Sequence, residues 1–519
     1  MLATVPSATL DGIDGARVRV EVHVANGLPG FTIVGLPDTS CREARDRVRA
    51  AIESSDLDWP MRRVTVNLAP GGFRKVGAGL DLAVALGILG ATGQIPLELL
   101  EGVAAVGELG LDGSVRSVRG ILPLVDVLAD ERVIVPASDA RVAVLGLEER
   151  ARPVRSLRDV VGALAQGLPW PDVDCRFDDE PAPAEPDLAD VRGQLGARRA
   201  LELAAAGGHH LLLVGPPGAG KTMLARRLVG LLPDLGPSAA KQVTRVHSAA
   251  GLSLPPGGLV RRPPFRAPHH SATMASLVGG GSGWSHPGEV SSATEGVLFL
   301  DELGEFSPRV LDALRQPLEE GVVRIARSGG TREHPARMLL VAAMNPCPCG
   351  EGGTNNCRCS PSSRTRYAGR VSGPLLDRLD VMVHVDRPSP VALLDAQPGE
   401  SSAVVAERVA EVRDLAVRRG VNTNAELSRD ALDEFAPLDD DALDLLHRAL
   451  VVGALSGRGA MRVRAVARTI RDLDDGSAVI RGSDIGEALQ FRARPPMGGD
   501  KVTPVRPPID GGSVDAEAS

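Results

Sequence analysis

The segment Gly215-Pro216-Pro217-Gly218-Ala219-Gly220-Lys221-Thr222 has the spacing of a phosphate-binding loop. An apolar run, His210 to Val214, precedes it, and the helical pattern MLARRLVGLL follows from Met223. Glycines let successive N–H groups turn toward one anion, and the next helix presents its positive end to the same place. Lys221 offers a compact ammonium to the β and γ phosphates of ATP, and Thr222 a hydroxyl to Mg. A glycine-rich turn carrying Lys-Thr by chance would read the same way. Lysine, however, occurs only at Lys75, Lys221, Lys241 and Lys501.

Further along, Gly296-Val-Leu-Phe-Leu-Asp301-Glu302 is an apolar strand that ends in paired carboxylates. That order suits an Asp that holds the metal and a Glu that orients attacking water. A third apolar run, Met338 to Ala343, leads to Asn345, which could hold the water or the γ phosphate. Asn at such a position is also a common turn former.

Four of the six cysteines crowd into one segment, as Cys347-Pro-Cys349 and Cys357-Arg-Cys359 around GEGGTNN. Four thiolates at short spacing suit a tetrahedral Zn site, although paired C-x-x-C is the commoner arrangement. A metal-free reduced loop and paired disulfides are the alternatives, and a reducing compartment disfavours the second. His269 and His270 raise a metal question too, but adjacent side chains on an extended segment diverge, which favours surface or packing roles.

These segments must be positioned by a chain of 519 residues, too long for one compact core. An apolar content of 43% is that of a folded globular protein. Neither a long uncharged apolar stretch nor a signal-peptide layout is present, so a cytoplasmic protein without membrane association is expected. The net charge of −8 repels nucleic acid in bulk, so any DNA contact must come from local arginine clusters. Aromatic content of 2% excludes base stacking on aromatic platforms as a main binding mode.

Residues 1–165 alternate β-like runs (Val18 to Val24, Gly30 to Val34, Arg63 to Asn67, Val133 to Val135) with helical patterns at Ser40 to Ser54 and Leu80 to Leu89. Residues 166–187, acidic and proline-rich, read as a linker. Over 188–387 the strand, glycine loop, helix, strand pattern predicts a parallel α/β sheet that includes the cysteine insert. Helical periodicity over 388–495 predicts a helical lid, and 496–519 reads as a disordered tail. The segment from Gly321 to Pro335, with Ser-Gly-Gly at its centre, follows the helical run LDALRQPLEE and reads as a β-hairpin carrying Arg324, Arg327 and Arg332. Those arginines could grip phosphates, or pair with Glu319, Glu320 and Glu333.

The blocks RPPFRAPHHSATMASLVGGG, HPGEVSSATEGVLFLDELGEF, LDALRQPLEEGVVRIAR, NPCPCG and SGPLLDRLD resemble the YifB/ComM family of magnesium-chelatase-like AAA+ ATPases. The resemblance runs from about residue 5 to residue 493; at 291–296, SSATEG lacks the His the family usually carries before the strand. It implies an AAA+ core, a homo-oligomeric ring of six subunits, ATP and Mg at each interface, and DNA as partner through branch migration. It further implies that Arg378 in LLDRLD is an arginine finger for the adjacent subunit and that Arg458 in LSGRGAM is a second sensor, with Arg462 as competitor. From the residues alone, a salt bridge of Arg378 with Asp377 or Asp380 is the simpler reading. The first domain is similar to the Lon-type peptidase fold, an α+β fold of the ribosomal S5 domain 2 type. KVGAGLDLAVALG has no Ser and SVRGILPLV no Lys where the peptidase dyad would stand. A chelatase-type motor acting through partner subunits and a protein-remodelling chaperone are the alternatives, the first weakened because no D-x-S-x-S pattern is present.

Overall fold

The computed structural model describes residues 1–175, 185–280, 286–327, 330–352, 357–388 and 399–492. The tail expected over 496–519, and the middle of the linker, therefore lie outside the described residues.

The central sheet has five strands in the order Phe265–Arg266, Val297–Leu300, Leu339–Met344, Leu211–Val214, Val381–His384, all parallel. Every residue of Val297–Leu300, Leu339–Met344 and Leu211–Val214 is buried, as expected for parallel strands covered on both faces. Their unbroken Leu, Val and Ala runs leave no polar side chain to expose. Parallel strands all point the same way, so the loops after Val214, Leu300 and Met344 meet at one edge.

The N-terminal unit begins with a four-stranded sheet in the order Leu2–Asp11, Asp14–Ala25, Arg63–Ala69, Gly30–Val34. Inward residues alternate along Asp14–Ala25, and this face packs on the helix Asp81–Thr92, buried from Asp81 to Ala91. A second, parallel sheet of Val103–Ala105, Arg132–Pro136 and Ala151–Val154 completes it. The unit is not detached from the central sheet. Val246 and Ala249, on the helix Pro237–Ala250, are part of the same buried cluster as Leu122 and Val125. Arg119 donates to the carbonyls of Ala249 and Ala250, and Lys241 pairs with Asp126. Trp170, in the expected linker, packs back on the N-terminal core.

After residue 399 the described chain is helical: Ser402–Arg418, Arg429–Phe435, Asp440–Val451, Gly457–Asp474 and Gly482–Arg492 are its main elements. Ser401, Ser428, Asp439 and Ser456 each cap the helix that follows by accepting a backbone N–H. Two expectations need correction. Leu2–Asp11 is a strand outside the β-like runs expected for residues 1–165. The single helix expected through LDALRQPLEE is two, Pro308–Asp312 and Arg315–Glu320, because Pro317 has no N–H with which to continue the helical ladder.

Candidate nucleotide site

The loop that follows Leu211–Val214 starts with Gly215, where an added Cβ would stand 2.1 Å from the Val385 carbonyl oxygen. Only glycine fits there. Gly218 (φ +78°) and Gly220 (φ +91°) take left-handed backbone, and no atom lies within 4 Å of a Cβ built on Gly218. The helix Lys221–Arg227 then begins at Lys221, so its first N–H groups face the loop.

Lys221 is buried, and its ammonium donates to the carbonyls of Gly215 (2.6 Å) and Pro216 (3.0 Å) and to Asn345 Oδ1 (3.1 Å). Burial lowers its pKa, while Asp301 and Glu302 oppose that shift. Thr222 Oγ1 donates to Asp301 Oδ2 at 2.7 Å, so the two side chains expected to hold one cation touch. Glu302 follows in left-handed backbone at φ +52°. Met223, 36% exposed, borders Gly220, and Pro217 packs on Gly350. The loop, the paired carboxylates and Asn345 are thus brought together at one edge of the sheet.

The structure adds Gln194, which stands in no motif, and gives His270 a partner beyond the surface or packing role expected for it. Gln194 Nε2 donates to the Ala219 carbonyl (2.8 Å) and to that of Asp386 (3.2 Å), and its Oε1 is buried without a partner. His270 Nδ1 lies 3.2 Å from Glu302 Oε2. The surface or packing role expected for the His pair is therefore incomplete: the chain turns at His270, and the two rings lie together, centroids 4.0 Å apart, instead of diverging. Only the neighbouring Pro and Ser hinted at that turn.

The donor set suits ATP and Mg. A hydroxyl and a carboxylate oxygen in contact are hard ligands of the kind Mg takes. A lysine satisfied only by loop carbonyls and one amide can exchange them for phosphate oxygens.

Arg378 lies elsewhere. It precedes the strand Val381–His384, whereas the phosphate loop follows the paired strand Leu211–Val214, so the two occupy opposite edges of the sheet. Four strand residues separate those edges by about 13 Å. Arg378, 5% exposed, pairs with Glu319 at 2.7 Å and donates to the carbonyls of Arg315 (3.2 Å) and Pro374 (2.6 Å). Its expected bridge to Asp377 or Asp380 is replaced by Glu319, which comes from a helix distant in sequence. Arg458 shares that carboxylate, at 2.8 Å, and Arg462 is held by Asp380.

The expected hairpin is present as Val322–Arg327 and Gly330–Pro335, with Arg324 opposite Glu333. Arg324 pairs with Glu320 and Glu333, and Arg332 with Asp11 of the N-terminal unit. The side chain of Arg327 lies outside the described residues. The four clustered cysteines stand beside the loop with all four Sγ atoms within 4.8 Å of one another. Lys75 is fully buried and donates to the carbonyls of Pro70 and Phe73. Among the described residues, no helix is long and apolar enough to cross a membrane.

Comparison with known proteins agrees with this architecture along its length. The family described as magnesium chelatase, subunit ChlI matches residues 187–393; subunit ChlI of Mg-chelatase matches 20–139, and the ChlI C-terminal family 399–492. The chain is 45% identical over 495 residues to an uncharacterized protein of Mycobacterium tuberculosis, covering 94% of this chain and 97% of that one. It is 42% identical over 488 residues to the uncharacterized protein YifB of Escherichia coli, covering 93% and 95%. It is also 42% identical over 505 residues to competence protein ComM of Haemophilus influenzae, covering 95% and 97%. With a phosphate loop and paired carboxylates at one edge of a parallel sheet and relatives matched from end to end, the chain belongs to the YifB/ComM family of magnesium-chelatase-like AAA+ ATPases.

Proposed function

We propose that the chain is an ATP-driven motor that assembles as a ring, with six subunits the expected number, and remodels DNA by branch migration. The observation that carries the ATPase reading is the contact of Thr222 with Asp301, beside a Lys221 shared between loop carbonyls and Asn345. DNA as substrate is supported by the relative named as a competence protein.

Lys221 gives up its loop carbonyls to hold β and γ phosphate oxygens, and the N–H groups of Pro217-to-Thr222 backbone, proline excepted, cradle the remainder. Thr222 and Asp301 would hold Mg, which would supply a positive centre for the phosphate oxygens. Glu302 orients water and accepts its proton, Asn345 holds the water or the γ phosphate, and His270 sets the rotamer of Glu302. Arg378 serves the nucleotide of the adjacent subunit, a role supported by its distance from its own loop, and Arg458 acts beside it on the same face through Glu319. A Zn ion on Cys347, Cys349, Cys357 and Cys359 belongs to the same reading as a structural ion.

The experiment is ATP hydrolysis by the purified chain in the presence of branched DNA, of a porphyrin-loaded partner subunit, or of unfolded protein. Stimulation by DNA alone is expected. Stimulation by either of the others, without DNA response, refutes the DNA assignment.

A further inference from the structure

The cysteine cluster is no part of the hydrolytic constellation, yet it is built against it. Cys347 Sγ stands 3.4 Å from Cys349, 3.8 Å from Cys357 and 3.8 Å from Cys359, and Cys349 is 3.7 Å from Cys357. A tetrahedron of sulfurs about 2.3 Å from a central zinc has edges of about 3.8 Å. A disulfide would need sulfurs about 2.05 Å apart, and a set of four soft thiolates selects zinc over magnesium or calcium.

The first cysteine pair begins two residues after Asn345, and the chain turns back at Gly350, whose N–H donates to the Cys347 carbonyl (2.9 Å) at φ +82°. A Cβ added at Gly350 would lie 2.3 Å from Cδ and 2.7 Å from Cγ of Pro217, the third residue of the phosphate loop. The next residue, Glu351, pairs with Arg387 at 2.7 Å, and Arg387 Nε donates to the Pro217 carbonyl at 3.2 Å. Pro217 is therefore held from two sides by the residues that follow the first cysteine pair, by packing on Gly350 and through the charged bridge of Glu351 and Arg387.

We propose that the four cysteines bind one Zn2+ as thiolates, their protons passing to solvent, and that Gly350 and Glu351, anchored by the metal through the first cysteine pair, form a strut that fixes the phosphate loop at Pro217. Loss of the metal then frees Gly350 and Glu351 and lowers nucleotide affinity, without touching any residue that contacts nucleotide. The strut rests on the assignment of this loop to ATP.

Metal analysis of the full chain purified under reducing conditions is expected to give about one zinc per chain. Titration of the thiols with an organomercurial releases it, and a fluorescent ATP analogue with Mg then reports loop competence. If the freed loop keeps its binding arrangement about one time in ten, the dissociation constant rises about tenfold. Removing the mercurial with excess thiol and adding Zn2+, but not Mg2+, restores it. Arg387→Ala, at an exposed position, keeps its zinc and weakens the analogue in the same direction; Gly350→Ala does so more strongly. Less than a tenth of an equivalent of zinc overturns the metal site. A zinc-free chain that melts earlier yet binds the analogue unchanged overturns the strut. A zinc-loaded chain that binds no analogue, while Lys221→Ala behaves identically, refutes the nucleotide assignment and the strut with it.

Discussion

Arg378 and the phosphate loop stand at opposite edges of one sheet, so the finger assignment makes a quantitative prediction for mixed rings. In an Arg378→Ala chain the loop is intact and the finger is missing; in a Lys221→Ala chain the reverse holds. Neither hydrolyses alone. In a ring built from head-to-tail interfaces, an active interface needs the loop of the first variant facing the finger of the second. At equal mixing that occurs at about a quarter of interfaces whatever the ring size, so about a quarter of unmodified turnover returns. It falls away symmetrically as either variant exceeds the other. Steady-state phosphate release across mixing ratios, with mixed assembly shown by mass photometry of differently tagged chains, measures the curve. A control is needed, because Arg378 also holds two backbone carbonyls and the half-exposed Glu319. At about 1 kcal/mol per carbonyl bond and less than that for the partly screened ion pair, its removal costs about 2–3 kcal/mol. The variant should therefore melt earlier but still assemble. Flat, absent turnover in rings shown to be mixed would refute action across the interface.

Replacing Glu302 by Gln leaves Lys221, Thr222 and Asp301 to bind nucleotide but removes the carboxylate that prepares water, so turnover falls about a hundredfold or more with affinity retained; near-normal hydrolysis would sink the assignment. Exchanging Arg324, Arg327 and Arg332 together for Ala is expected to abolish DNA stimulation and strand movement and to flatten the salt dependence of residual binding, while unstimulated ATPase persists; branch migration at the unmodified rate would move the DNA path elsewhere. His209, 1% exposed and bonded to Thr469, has its pKa pushed down to about 4 by burial, with Asp380 opposing and His210 and Arg462 reinforcing. Because the unfolded chain takes up that proton near pH 6.5 and the folded chain does not, stability falls as pH drops from 6.5 toward 4, by about 2 kcal/mol at pH 5 from this group. Urea unfolding of His209→Gln at pH 7 and pH 5 should show a gap smaller by about that amount, and an unchanged gap would contradict the buried neutral imidazole.

What could be read from the sequence was what is local. The phosphate loop announces itself because its glycines, its Lys-Thr and the flanking strand and helix all lie within some twenty residues, and the hairpin because alternation brackets Ser-Gly-Gly. The strands Gly30–Val34 and Val297–Leu300 emerge for the same reason. Leu2–Asp11 is not legible as a strand because Pro6 interrupts its pattern, and it is an edge strand, where a missing N–H is tolerated. Gln194 was invisible because nothing in its neighbours says that it reaches Ala219 and Asp386, the latter 192 residues away.

Long-range pairing explains the remaining gap, and it changes how the arginines are understood. Composition allowed Arg324 and Arg332 to pair with nearby acids, and Arg324 does so, but Arg332 reaches Asp11 across 321 residues. The hairpin is thereby tied to the N-terminal unit on one strand while its base continues the helix Arg315–Glu320 on the other. That helix ends in two consecutive carboxylates with different partners: Glu319 holds Arg378 and Arg458, and Glu320 holds Arg324. One short helix therefore joins the hairpin to Arg378 and Arg458. A load on the hairpin acts on Glu320 and cannot shift that helix turn without also moving Glu319. This is the physical route by which a ring of such chains would couple a step at the hairpin to the position of Arg378; of its two ion pairs Glu320 with Arg324 is local in sequence, while Glu319 with Arg378 joins residues that no local pattern brings together.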